Sequence, residues 1–330
     1  MRITIVGDGG WGTALGVLLA RNGHNTTLWG AFPEYLKIMI RAGENKKFLP
    51  GVQLPAQMKI EPDLARALDE SELVVFAVPA QFLRIILKKV KAYCSPGCLY
   101  LSVVKGLEFD SAKRMSELIR EILGTHLKLA VLSGPNIASE VVCGIPSACV
   151  VAAKNINIAR KIQKTFMTES FRVYTAQDLI GVELGGALKN VIAIACGISD
   201  GLGFGTNTKA ALLTRGLVEM TKLGAKLGAD FRTFTGLSGL GDLVTTSFNP
   251  RSRNYSLGEQ LGRGKKLAKI LTGTEMVIEG VMTAKAALKL ARKNRVEMPI
   301  TNEVCAVLFK NKSPFVAVKC LMQRSGKREM

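Results

Sequence analysis

Over its first half the chain alternates short apolar runs with segments of helical periodicity. Arg2–Val6 is β-branched and short enough for a buried strand, and from Thr13 onward Leu15, Leu18 and Leu19 fall on one helical face. After the turn Asn22–Asn25, Thr26–Trp29 predicts a second strand, Pro33–Arg41 a helix, Gly43–Leu54 a polar loop and Asp63–Leu68 a short helix. Leu73–Val78 is a continuous apolar strand ended by Pro79, followed by a helix at Leu83–Tyr93 and a strand at Leu99–Val103. A helix at Ser111–Leu123, a strand at Leu127–Leu132 and a helix start at Asn136–Val142 come next. Ala148–Ala152 and Phe171–Tyr174 read as late strands around a helix at Ile156–Met167. This alternation predicts a mostly parallel sheet. Beyond it the strand pattern stops, and Leu179–Cys196, Lys209–Lys226, Tyr255–Leu261 and Thr283–Arg292 all read as helices. The prediction is an α/β domain over residues 1–177 and an all-α domain over 178–330.

A chain of 330 residues with 48% apolar residues can fill two cores. A strand within two residues of Met1 argues against a signal peptide. The longest apolar run, Val191–Ile198, is far short of the roughly 18 residues a membrane span needs. Seven cysteines stand at 94, 98, 143, 149, 196, 305 and 320, with no C-x-x-C and only two histidines. No metal site or disulfide framework is expected, each cysteine is read as a small buried hydrophobe, and a reducing cytoplasm fits. The net charge of +19 raises the question of nucleic acid. Its lysines and arginines are spread along the whole chain, and aromatics at 6% leave few stacking platforms, so the charge is read as a basic surface around anionic small molecules.

The first strand runs straight into Gly7-Asp8-Gly9-Gly10-Trp11-Gly12 and then a helix. Strand, G-x-G-x-x-G and helix in that order form a dinucleotide-binding turn, so the N-terminal domain is expected to be Rossmann-type. Gly7 allows the tight turn, Gly9 the approach of backbone to pyrophosphate, and Gly12 the packing of helix on strand. The helix N-terminus then meets the diphosphate with its N–H groups and the positive end of its dipole. A carboxylate about 20 residues beyond the glycines marks NAD and an arginine NADP. Here the second strand ends in Gly30-Ala31-Phe32-Pro33, with neither, so the choice between NAD and NADP stays open. Phe32 is counted among the cofactor contacts. Gln81 and Phe82, after the Leu73–Val78 strand, border the ligand crevice or cap and pack the next helix. Lys105-Gly106, after another strand, suits an anion or carbonyl site, or is a surface lysine.

In the helical domain Lys189 sits among Gly185, Gly186, Ile192 and Ala193. An apolar wall would lower its pKa toward the range of a general base; the alternative is a lysine laying its stem over apolar surface. Ser238-Gly239-Leu240-Gly241-Asp242 is a glycine-lined turn presenting a carboxylate. Asn249-Pro250-Arg251-Ser252-Arg253-Asn254 opens a helix, with proline expected just inside its start, and its serine, arginine and asparagine suit a phosphate; Arg251 alone reads as surface charge. Glu279-Gly280 is a sugar-hydroxyl contact or an ordinary loop acid.

Taken together, these stretches resemble the soluble NAD(P)-dependent glycerol-3-phosphate dehydrogenase family over nearly the whole chain. The carriers are Gly7–Leu15, Phe76–Pro79, Lys105-Gly106, Ser133-Gly134-Pro135, Gly186–Asn190, Gly236–Asp242, Ser252–Asn254 and Glu279-Gly280. The resemblance implies interconversion of sn-glycerol 3-phosphate and dihydroxyacetone phosphate, supplying glycerol phosphate for phospholipid synthesis. It implies Lys189 as the proton acceptor and Lys105 as the group that orients the reacting oxygen between cofactor and substrate. Gly134, Asn136, Asp242, Ser252, Arg253 and Asn254 would line the substrate site. Gly10, Trp11, Ala138, Arg253, Val277 and Glu279 would contact the dinucleotide. Members often carry serine or threonine where Asn136 stands, and many NADP-preferring members have an arginine that Gly30–Phe32 lacks. No metal is implied, and a homodimer is left open. The competing readings are a related dehydrogenase acting on a hydroxyacid or imine, and a basic NAD-sensing nucleic-acid binder, which the dispersed charge disfavours.

Overall fold

The computed structural model describes every residue except Pro96, Lys327 and Met330. Eight strands form one sheet: β1 Arg2–Val6, β2 Asn25–Trp29, β3 Met58–Ile60, β4 Leu73–Phe76, β5 Leu99–Ser102, β6 Lys128–Ser133, β7 Ser147–Ala152 and β8 Phe171–Ala176. Their spatial order is β3-β2-β1-β4-β5-β6-β7-β8. All neighbours are parallel except β6 and β7, which run antiparallel. Side chains alternate faces along each strand, and the core divides accordingly. Ile3, Ile5, Leu73, Val75, Leu99 and Leu101 join one cluster with Leu15, Leu18 and Leu19 of the helix Gly10–Arg21. Val6, Val74, Phe76 and Tyr100 join the other, with residues of the helices Leu83–Val90 and Met115–Leu123. The sheet is thus covered by helices on both faces, the layering that buried parallel strands require.

Two compact units emerge, Met1–Lys105 with Lys113–Glu183, and Gly106–Ala112 with Leu184–Met330. The helix expected from Ser111 starts only at Met115, because Ala112 takes a positive φ of 55° that no helix continues through. The short strand β3 had no counterpart in the sequence pattern, since three residues are too few to show alternation.

All eight strands lie in the first unit, and the second is built from helices. The helix Leu179–Gly201, which belongs to this unit from Leu184 onward, is long and apolar enough to cross a membrane by composition, yet 94% of its apolar window is buried inside the protein. It packs closely on the helix Arg253–Gly262: a Cβ on Gly197 would lie 2.1 Å from the carbonyl oxygen of Tyr255. That helix begins at Arg253 with Ser252 as its N-cap, so Pro250 stands in the preceding turn and not inside the first helical turn as expected. Further helices run Thr206–Lys226, Asp242–Phe248, Leu267–Thr272, Glu279–Lys293, Pro299–Phe309 and Pro314–Met322.

Candidate functional site

In the first unit the strand register gathers the candidate residues along one edge of the sheet. Val6 pairs with Trp29 and with Phe76, Phe76 with Ser102, and Ser102 with Val131. The segments following β1, β2, β4, β5 and β6 therefore emerge side by side at the carboxyl edge, the general location of ligand crevices in such sheets. They carry, in order, Gly7–Gly12, Gly30–Phe32, Ala77–Phe82, Lys105 and Gly134–Ala138.

The glycine turn is packed as a dinucleotide turn demands. Gly7 has φ 131°, and a Cβ there would meet the carbonyl carbon of Ala77 at 2.7 Å. A Cβ on Gly12 would lie 2.0 Å from the carbonyl oxygen of Gly7, so any side chain would push the helix off the strand. A Cβ on Gly9, by contrast, meets nothing within 4 Å. Gly9 is the N-cap of the helix Gly10–Arg21, with no side chain capping it. The first N–H groups of a helix lack intrahelical partners, and here no N-cap side chain claims them, as an anion site requires. Phe32 and Phe82, after β2 and β4, are 71% and 51% exposed, available to pack against a flat ring system.

Several buried polar atoms near this edge have no hydrogen-bond partner among the described residues: Asp8 Oδ2, Trp11 Nε1, Ser133 Oγ, and both Nδ2 and Oδ1 of Asn136. Buried polar groups are otherwise almost always satisfied, so this cluster is what a site shaped for a polar ligand leaves behind. It fits a dinucleotide, and Asn136 offers both a donor and an acceptor. Lys105 donates from Nζ to the Gly134 carbonyl at 2.8 Å, which holds the ammonium at the end of β5. Ala138 begins a short helix, Ala138–Val142. Burial pushes the Asp8 carboxyl up from its ordinary value, with a backbone hydrogen bond and the Lys47 ammonium acting against the shift.

In the second unit Lys189 is 6% exposed, but its surroundings are not the apolar wall the sequence suggested. Its Nζ donates to Asp242 Oδ1 at 2.6 Å and to Thr246 Oγ1 at 2.5 Å. Asp242 is 1% exposed, so carboxylate and ammonium form a buried ion pair in which each offsets the desolvation of the other. Gly185 makes the arrangement possible: a Cβ there would lie 2.5 Å from the Ser238 carbonyl oxygen. The π-helical turn Leu237–Gly241 therefore packs directly on the lysine helix and delivers Asp242 as the first residue of its own helix. Thr246, one helical turn further, was not singled out from the sequence; its i,i+4 spacing from Asp242 is the signal that would have found it.

Beside this pair, Asn254 Nδ2 donates to Asn190 Oδ1, and Asn254 Oδ1 accepts from the Gly280 amide, each at 2.9 Å. The Asn254 amide is thus engaged at both ends, and it ties the start of the helix Arg253–Gly262 to the lysine helix and to the helix Glu279–Lys293. Ser252 Oγ accepts from the Tyr255 amide as a helix cap at 3.4 Å. Arg253 is exposed and donates from Nη1 to the Val277 carbonyl at 2.7 Å, and the Glu279 carboxylate acts electrostatically on its guanidinium. An exposed guanidinium at a helix N-terminus suits a phosphate group.

Comparison with known proteins agrees with this geometry. The family model described as the NAD-dependent glycerol-3-phosphate dehydrogenase N-terminus matches residues 2–159, and its C-terminal counterpart matches 178–319. The chain is 48% identical to a glycerol-3-phosphate dehydrogenase [NAD(P)+] of Geobacillus kaustophilus, covering 99% of this chain and 96% of that protein. It is 46% identical to the protein of the same name from a Thermoanaerobacter species, over 100% of this chain and 99% of the other. Among solved structures, a glycerol-3-phosphate dehydrogenase from Coxiella burnetii superposes with a TM-score of 0.95 at 36% identity, covering 98% of this chain and 99% of that one. With both halves matched and relatives alike end to end, the chain belongs to the NAD-dependent glycerol-3-phosphate dehydrogenase family.

Proposed function

We propose that the protein interconverts sn-glycerol 3-phosphate and dihydroxyacetone phosphate, with NAD or NADP as hydride carrier and Lys189 as general acid and base. The observation that carries this reading is the buried ammonium of Lys189, held at 2.6 Å by Asp242 and at 2.5 Å by Thr246 in a chain of this family. A dinucleotide whose diphosphate lay on the glycine turn would supply or accept, through its nicotinamide, the hydride at C2 of the substrate. In the reducing direction Lys189 Nζ donates a proton to the C2 oxygen as that oxygen gains charge; in the oxidising direction the neutral amine takes the hydroxyl proton. Asp242 and Thr246 hold Nζ in one place, so the proton is presented without a search for geometry. A positioned acid of this kind is worth about 10² to 10⁴ in rate. Lys105 is assigned the reacting oxygen, where a second cation stabilises developing negative charge.

Arg253, with the helix N-terminus it begins, takes the phosphate, while Ser252 caps that helix and Asn254 fixes it to Asn190. Asn136, with both amide ends unclaimed by the described residues, is assigned to the glycerol moiety. The glycerol phosphate formed would serve phospholipid synthesis in the cytoplasm, where seven unbridged thiols remain reduced. The test is consumption of NADH and of NADPH with dihydroxyacetone phosphate against a panel of 2-oxo acids and imines. Turnover confined to the triose phosphate is expected; equal or faster turnover of an oxo acid would reassign the chain to the related dehydrogenases.

A further inference from the structure

The end of β2 carries Trp29-Gly30-Ala31-Phe32, without the acidic residue that receives the adenosine ribose in NAD-binding folds and without the arginine that accommodates a 2′-phosphate. The structure supplies the missing charge from the glycine turn that follows β1. A Cβ built on Gly30 would lie 2.4 Å from Asp8 Cγ and 2.6 Å from Asp8 Oδ2. The carboxylate of the glycine turn thus fills the volume in which a side chain of residue 30 would begin.

We propose that Asp8 sets the choice of cofactor: its carboxylate stands in for the absent acid of β2, accepts hydrogen bonds from the adenosine ribose, and repels a 2′-phosphate, so that the protein takes NADH in preference to NADPH. This rests on the reading of the glycine turn as the dinucleotide site. Three observations support it. Asp8 Oδ2 is buried and has no partner among the described residues, and a ribose hydroxyl is a donor of the right kind for it. The residue is held from behind, since its carbonyl oxygen accepts from Asn45 Nδ2 at 2.7 Å and from Thr13 Oγ1 at 3.3 Å. Asn45 is itself fixed, donating to Thr13 Oγ1 and accepting from the Tyr35 hydroxyl at 2.6 Å. Gly30, lacking a Cβ, leaves the room beside β2 that the Asp8 carboxylate occupies and that any side chain at residue 30 would take from it. The opposing charge is Lys47, whose ammonium acts on Asp8 and whose Nζ lies 5.4 Å from the centre of the Phe48 ring. A phosphate placed at the ribose would have to approach the carboxylate directly, and the lysine offsets only part of that repulsion.

Isothermal titration of the full chain with NADH, NADPH, ADP-ribose and 2′-phospho-ADP-ribose reads this out without turnover. The wild-type protein should bind NADH at least about tenfold more tightly than NADPH, a difference of about 1.4 kcal/mol, and ADP-ribose over its 2′-phosphate by a similar factor. Asp8→Ala should weaken NADH about tenfold and tighten NADPH, bringing the ratio to one or below. Asp8→Asn, which keeps the shape and a hydrogen-bond acceptor, should retain most of the NADH affinity while losing the discrimination. Equal binding of NADH and NADPH by the wild type, or an unchanged ratio in Asp8→Asn, overturns the role of Asp8. Binding of none of the four nucleotides overturns the dinucleotide reading of the turn itself.

Discussion

Replacing Lys189 by methionine separates what its ammonium does for the reaction from what it does for the fold. Lys189 and Asp242 are 6% and 1% exposed and 2.6 Å apart, so the substitution takes the counter-charge away from a carboxylate deep in the second unit. Breaking a buried pair from one side costs about 3–5 kcal/mol, whereas replacing both partners by apolar groups of similar size is close to neutral. At roughly 2–4 °C per kcal/mol for a unit of this size, Lys189→Met should lower the melting temperature by about 6–20 °C. The double variant Lys189→Met/Asp242→Leu should recover most of that loss. Turnover should fall by about 10² to 10⁴ in both, because neither carries the proton. The assays are calorimetric melting, NADH binding by titration and steady-state reduction of dihydroxyacetone phosphate. A double variant as unstable as the single one would refute the buried-pair argument. A Lys189→Met enzyme within about tenfold of wild-type turnover, below the range for a lost acid, would refute the catalytic one.

Other parts of the structure give further expected outcomes. Burial pushes the Glu219 carboxyl up to about 7, although the amides of Ile300 and Thr301 and the Thr301 hydroxyl donate to it. Between its ordinary 4.5 and that value the folded chain holds a proton that the unfolded chain does not. Stability from this group is therefore full below about 4.5 and is lost as pH rises through 7, by a few kcal/mol at most. Melting temperatures across that window should fall in the wild type and stay flatter in Glu219→Gln; parallel curves would assign the pH response elsewhere. Gly12→Ala must force a methyl group to 2.0 Å from the Gly7 carbonyl oxygen, so helix and strand part, at a cost of about 1–3 kcal/mol. NADH affinity should drop with stability, and unchanged titration curves would show that the turn does not hold the dinucleotide. Arg253→Ala should raise KM for dihydroxyacetone phosphate about 10- to 100-fold, the worth of a charged hydrogen bond, while unphosphorylated dihydroxyacetone is handled as before. Equal loss for both substrates would move the phosphate site away from Arg253.

The parts of this protein legible from sequence are those whose cause is local. The run Arg2–Val6, the glycines at 7, 9 and 12, and the leucines at 15, 18 and 19 each announce their structure within a few residues, and the helix Gly10–Arg21 follows them closely. β3 escaped because Met58-Lys59-Ile60 is an edge strand held by pairing to β2, with too few residues to carry a pattern of its own. Ser111 read as the start of a helix that begins only at Met115, because the positive φ of Ala112 intervenes. For the site, residue types were readable and partnerships were not. Lys189 and Asp242 both stood out, one as a base in an apolar wall and the other as a substrate ligand, yet 53 residues separate them and no periodicity spans that distance. What joins them is the absence of a Cβ at Gly185, which lets a π-helical turn reach the lysine helix. The same holds for Asp8 and Gly30. Reading strand β2 alone, the missing acid leaves cofactor choice open; with Val6 set opposite Trp29, the residues that follow each strand come into contact and the carboxylate arrives from the neighbouring turn. Strand register is thus the quantity that converts an inventory of reactive groups into a site, and it is fixed by burial of whole faces of the sheet, a property that no single stretch of the chain contains.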